Sequence, residues 1–240
     1  MGLRTDTIEY HDGKTCLEGF LAYDDSLGTL LPAVMISHAW RGRDDFVCDK
    51  ARTLAQLGYA AFALDMYGKG VLGNNLEENA RLMQPFMDDR SLLQRRMIVA
   101  LDTVQDLQQV DAERIAAIGF CFGGLCVLDL ARTGADLRGV VSFHGLLTPL
   151  GNTQETRIEA KVLMLHGHDD PLVPVDDVLA VQQEMTEAGA DWQFLSYGHT
   201  MHAFTNPMAN DPDFGTVYQP VADRRSWQSM KNFLEEVLAD

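Results

Sequence analysis

The chain has 240 residues, 46% of them hydrophobic and 22% charged, which is enough apolar material for one ordinary core and suits a single α/β domain over residues 1–240. With 19 basic residues against 35 acidic ones the formal net charge is −16, which argues against nucleic acid or an anionic membrane surface as partner. No apolar run is long enough to span a bilayer, and the opening M-G-L-R-T-D-T-I-E-Y lacks an apolar signal core, so a cytoplasmic location is expected.

Residues 7–10 and 16–22 flank H-D-G-K and predict an opening hairpin. P-A-V-M-I-S at residues 32–37 is near-continuously apolar, as in a strand buried on both faces, and H-A-W-R-G follows as a loop. A helix is expected from near Asp44 through Leu57, stopped by Gly58. Residues 59–64 predict the next buried strand, closed by D-M-Y-G. After a glycine-rich loop, residues 77–108 have a helical pattern with an interruption near Pro85 and residues 88–89. The apolar Met83, Phe86 and Met87 of this stretch are expected to pack on the sheet rather than to cover a pocket.

The stretch R-I-A-A-I-G-F-C-F-G-G-L-C-V-L-D-L, residues 114–130, organises the rest. An apolar strand runs into Gly119-x-Cys121-x-Gly123 and then into a helical segment, the order of a nucleophile elbow. The glycines flanking the sharp turn let strand and helix approach. A helix N-terminus favours thiolate, the reactive form of cysteine, and leaves the N–H of Phe122 available as half of an oxyanion hole. Cys16, Cys48, Cys121 and Cys126 have neither zinc-ligand nor disulfide-framework spacing, and Cys126 is expected in the core.

Further strands are expected at 137–143, ending at His144, at 161–165, ending in H-G-H-D-D-P, and at 192–197, followed by H-T-M-H-A-F. Helices are expected at 175–188 and 227–238. Strands alternating with helices give a mostly parallel central sheet with helices on both faces. Function in such sheets gathers at the carboxyl ends of the strands. There Cys121, Asp170 and His202 stand in the nucleophile–acid–histidine order of an α/β-hydrolase triad. Asp170 is preferred to Asp169 because it directly precedes P-L-V-P, where the chain turns away, whereas placement alone does not separate His202 from His199.

The chain resembles the dienelactone hydrolase family in G-F-C-F-G-G, H-G-H-D-D-P-L-V-P, H-A-F and A-F-A-L-D-M-Y-G, and the likeness extends over nearly its whole length. The resemblance implies the α/β-hydrolase fold, Cys121, Asp170 and His202 as the triad, and a second oxyanion donor in the loop after residue 37, by position the N–H of Trp40. It implies hydrolysis of small carboxylic esters or lactones through an acyl-enzyme, with no cofactor and no metal. His38, Tyr67 and His144 are expected near the substrate. One departure is Ala39, which stands where the best-known members carry a glutamate that interacts with the resting thiol. A thiolate–imidazolium pair between Cys121 and His202 is expected to take over. Arg41, Arg43, Arg81 and Arg90 lie in the regions from which a substrate carboxylate could be held, but are expected to be solvated surface groups. Two rival readings are a metal-dependent hydrolase using His166, His168 and Asp169, and a non-catalytic binding protein on the same fold.

Overall fold

The computed structural model describes residues 2–28, 30–150 and 157–239. Its centre is an eight-stranded sheet in the order β1-β2-β4-β3-β5-β6-β7-β8. β1 (Leu3–Asp12) and β2 (Thr15–Asp24) form the opening hairpin. β2 pairs antiparallel with β4 (Ala60–Ala63), and from there the sheet is parallel through β3 (Leu31–Ser37), β5 (Val110–Phe120), β6 (Gly139–Phe143), β7 (Lys161–Gly167) and β8 (Trp192–Tyr197). The hairpin is longer than its apolar residues suggest. Leu3 already pairs with Asp24, and β1 is an edge strand whose first five residues are exposed, so pairing rather than burial sets its length.

The central strands bury both faces, and two cores result. On one face lie α1 (Asp45–Gln56) and α6 (Pro220–Val237). On the other lie α3 (Arg90–Gln105), α4 (Phe122–Arg132) and α5 (Val175–Glu187), with α2 (Leu76–Asp88) adding Phe86. In α1 the buried Val47, Cys48, Ala51, Leu54 and Ala55 recur at helical spacing. The long helical pattern divides at Asp89, whose side chain caps α3 by accepting from the N–H of Leu92. Phe86 is buried against Tyr67 and Phe122, Met83 and Met87 are partly buried on the same core, and Pro85 faces out.

α6 starts seven residues earlier than expected. Gln219 caps it, Pro220 fits its first turn without needing an N–H acceptor, and A-D-R-R there carries little apolar signal. The short antiparallel pair β9 (Asn210–Asp211) and β10 (Thr216–Val217) has no sequence signature, and its role is to hold a loop described below. α4 is buried along its whole length, including Asp129 and Arg132. Those charges close on one another: Arg90 and Arg132 both bind Asp129, and Arg132 also binds Glu184 of α5. No helix among the described residues is long and apolar enough to cross a membrane.

Candidate active site

Cys121 sits between β5 and α4 with φ 56° and ψ −117°, in the left-handed half of backbone space that an L-residue adopts only when its surroundings impose it. Two glycines impose it. A Cβ on Gly119 would stand 1.9 Å from the carbonyl oxygen of Gly123, and one on Gly123 would stand 2.2 Å from that of Ser37. Only bare backbone lets the strand, the turn and the start of α4 pass this close. Cys121 donates its own N–H to Phe143 at 3.0 Å, which ties the turn to the end of β6, and it remains part-exposed. Cys126, by contrast, is fully buried, and burial pushes its thiol well up.

His202 follows β8 and is 1% exposed. Its Nδ1 lies 2.7 Å from Oδ2 of Asp170, whose Oδ1 accepts the N–H of Leu172 at 2.9 Å. The loop is pinned on its other side. The N–H of His202 donates to Gly215 and its carbonyl accepts from Val217, so β9 and β10 form a brace for the imidazole. Burial pulls the imidazole down, but the charge of Cys121 and the hydrogen-bonded Asp170 carboxylate outweigh it and push His202 up to about 10. Its Nε2 has no hydrogen bond of ordinary geometry, and Nδ1 being held by Asp170, this nitrogen is the one left for the Cys121 thiol that helps raise the imidazole. His199, by contrast, is fully exposed and lies 3.9 Å from Asp169, itself exposed.

The N–H of Phe122 is the first of α4 and has no acceptor a turn behind it. The N–H of Trp40 makes no hydrogen bond among the described residues. Its peptide is held from behind. Nδ1 of His38 lies 2.7 Å from the carbonyl oxygen of Ala39, and Nε2 of the same ring accepts the N–H of Met66 at 3.1 Å. His38 is therefore a neutral imidazole with Nδ1 carrying the proton, buried, and offering no free nitrogen to a substrate. Tyr67 donates its hydroxyl to the carbonyl of Trp40 at 2.9 Å. Asp65 fixes Tyr67 in turn by accepting the N–H groups of Tyr67 and Gly68.

His144, with φ 38°, places Nε2 2.8 Å from Oγ1 of Thr205 and lies edge-on to His202 at 5.1 Å between centroids. Burial first, then the neighbouring His202, pushes it well below the usual histidine range, so it stays neutral. Of the arginines, Arg90 is committed to Asp129 and Arg43 to Glu18, Arg41 lies near Asp44, and Arg81 is exposed. His166 is buried while His168 and Asp169 are exposed, and no three His, Cys, Asp or Glu side chains converge as metal ligands among the described residues. Sequence reasoning missed Thr205 and also Phe214, which stacks on the Trp40 ring at 5.7 Å from the turn between β9 and β10. Neither lies in a motif.

Comparison with known proteins agrees with this architecture. The model of the dienelactone hydrolase family matches residues 17–238. The protein m3DLH is 39% identical over the full length of both chains, with a TM-score of 0.95. A dienelactone hydrolase-like promiscuous phosphotriesterase from metagenomic libraries is 36% identical, again over the full length of both, with a TM-score of 0.93. A relative from Bradyrhizobium sp., named a probable 2-oxo-3-(5-oxofuran-2-ylidene)propanoate lactonase, is 26% identical over 98% of this chain and 96% of its own. The chain belongs to the dienelactone hydrolase family and is a hydrolase of the ester and lactone class.

Proposed function

We propose that the protein cleaves compact carboxylic esters or lactones by nucleophilic catalysis at Cys121, with His202 as the proton carrier and Asp170 as its orienting partner. The observation that carries this reading is the one-sided imidazole. Asp170 holds Nδ1, which leaves Nε2 for Cys121, the neighbour at a strained turn whose interaction helps raise the imidazole.

The steps follow from that arrangement. The Cys121 thiol gives its proton to Nε2 of His202 and its sulfur attacks the substrate carbonyl, whose oxygen gains charge facing the N–H groups of Phe122 and Trp40. Each such donor contributes about 3 kcal/mol to the transition state. The tetrahedral species collapses, the C–O bond to the leaving alcohol breaks, and His202 gives that oxygen its proton. A water then attacks the thioester carbonyl while His202 takes a proton from it, and the carboxylic acid leaves Cys121 as it began. In a lactone the leaving alcohol stays attached to the acyl group, so the product is one hydroxy acid. Asp170 keeps the imidazole in the productive tautomer throughout.

The name of the Bradyrhizobium relative supports a lactone as one substrate, and that of the metagenomic relative adds phosphotriesters to the panel. The test is a set of chromogenic esters, lactones and phosphotriesters on the wild type and Cys121→Ala, with mass spectrometry for an acyl adduct on Cys121. The expected result is a loss of roughly 10⁴-fold or more in the variant and a trapped adduct in the wild type. Full activity in Cys121→Ala would reject the assignment.

A further inference from the structure

We propose a second ligand site, for a small multiply charged oxyanion, in the depression between α1 and α6. It has a volume of about 730 Å³ and is lined by Lys50, Thr53, Arg224, Arg225, Trp227 and Lys231, with Asp223 and Gln228 beside them. None of these residues belongs to the catalytic constellation.

The charge pattern is the first argument. This is a strongly acidic chain, and its basic side chains are mostly spoken for: Arg43, Arg90, Arg96, Arg132 and Lys161 each end on a carboxylate. Lys50, Arg224, Arg225 and Lys231 make no ion pair among the described residues, yet all open on one concavity. Carboxylates outnumber cations almost two to one in the chain, so four unpaired cations around one hollow leave a local positive field that folding alone does not require. The one carboxylate in the lining, Asp223, accepts the Tyr218 hydroxyl at 3.1 Å and also acts electrostatically on Lys50, and one carboxylate against four cations leaves the lining net positive.

The second argument is the setting of Lys50. Its ammonium stands 4.7 Å from the centroid of Trp227, 5.1 Å from Phe46 and 5.9 Å from Phe120. Ring faces hold a cation without satisfying its three N–H donors, so this ammonium is preorganised and partly desolvated, with hydrogen bonds still to give. An oxyanion takes such donors directly, and the arginine side chains offer the planar forks that suit phosphate and carboxylate. A small solute is favoured over a membrane or a nucleic acid because the hollow is concave and the rest of the chain is acidic.

Calorimetric titration of the full chain with inorganic pyrophosphate, at fixed ionic strength, tests the site. The expected result is saturable binding that weakens by roughly tenfold or more in Lys50→Gln and in the double variant Arg225→Gln/Lys231→Gln. Arg138→Gln, a basic position elsewhere, should leave affinity unchanged. The double variant changes only exposed or half-exposed side chains, so it carries the test if Lys50→Gln folds poorly, and its ester hydrolysis should equal that of the wild type. No saturable heat in the wild type overturns the proposal, as does equal affinity in the variants or equal loss in Arg138→Gln. Binding to anionic vesicles or duplex DNA without binding to pyrophosphate overturns it too.

Discussion

The imidazole of His38 and the carbonyl of Ala39 are hydrogen-bonded at 2.7 Å, and that bond fixes the direction of the N–H of Trp40. Carbonyl and N–H of one trans peptide point opposite ways, so holding the Ala39 oxygen from behind aims the Trp40 hydrogen forward. Gly42 donates to the same oxygen at 3.1 Å, and Met66 locks the ring by donating to Nε2. The glutamate-to-alanine departure thus leaves the loop tethered by its neighbour. Losing an oxyanion donor outright costs about 3 kcal/mol, so a misaimed one in His38→Ala should lower kcat by roughly tenfold to a hundredfold with KM little changed. His38→Asn, whose amide N–H can replace Nδ1, should retain more activity than His38→Gln, and steady-state kinetics on one chromogenic ester decides the order.

The raised imidazole sets a pH dependence. A folded-state value of about 10 lies above the usual 6.5, so the proton binds more tightly in the folded chain. The stabilisation is complete below about pH 6.5 and is lost as pH rises through 10. Thermal unfolding should therefore show stability falling over that window. The alkaline limb of kcat/KM should lie near pH 10, where His202 can no longer donate to the leaving group. Asp170→Asn should move that limb to lower pH and cost roughly 10³- to 10⁴-fold in kcat. An unmoved limb would mean that another group controls it.

Gly123 offers a stability test of the elbow. Its missing Cβ would sit 2.2 Å from the Ser37 oxygen and 2.7 Å from that of His38, both backbone atoms that cannot rotate aside. Gly123→Ala should destabilise by about 3 kcal/mol or more, as overpacking against fixed backbone does, and lower the midpoint of urea unfolding. Gly13→Ala is the contrast. It is strained by its φ of 59° but has nothing within 4 Å, so its cost should be only about 1 kcal/mol.

What could be read in advance sorts by physical range. The elbow was legible because steric need writes glycines at fixed offsets from Cys121, and the parallel strands were legible because burial on both faces makes continuous apolar runs such as 32–37. Asp170 was singled out because a proline follows it directly, and the structure places its carboxylate against Nδ1 of His202. The brace on His202 was not, since Gly215 and Val217 act through backbone atoms that any residue supplies. His38 was expected near the substrate. The groups its ring nitrogens meet, Ala39 and Met66, are main-chain atoms with no sequence signature. Arg90 and Asp129 are 39 residues apart, and nothing local marks either as half of a buried pair.

That pair gives the last prediction. Asp129 has no exposed surface and is the only carboxylate bound to Arg90 among the described residues, while Arg132 also reaches Glu184. Arg90 lies at the start of α3, reaches Asp129 on α4 and also approaches the carbonyl of Thr148, so the cluster clasps α3, α4 and the chain beyond β6 behind the elbow. Asp129→Ala strands Arg90 and leaves Arg132 half-neutralised in a dry interior, which should cost about 3–5 kcal/mol. Arg90→Met leaves Asp129 still bound to Arg132 and should cost distinctly less, because a partner remains and the apolar stem is kept. Asp129→Asn preserves shape and some hydrogen bonding and should fall between them. Urea midpoints for the three variants give the order. If Arg90→Met proves the most damaging, the clasp works through α3 packing rather than through charge compensation at Asp129.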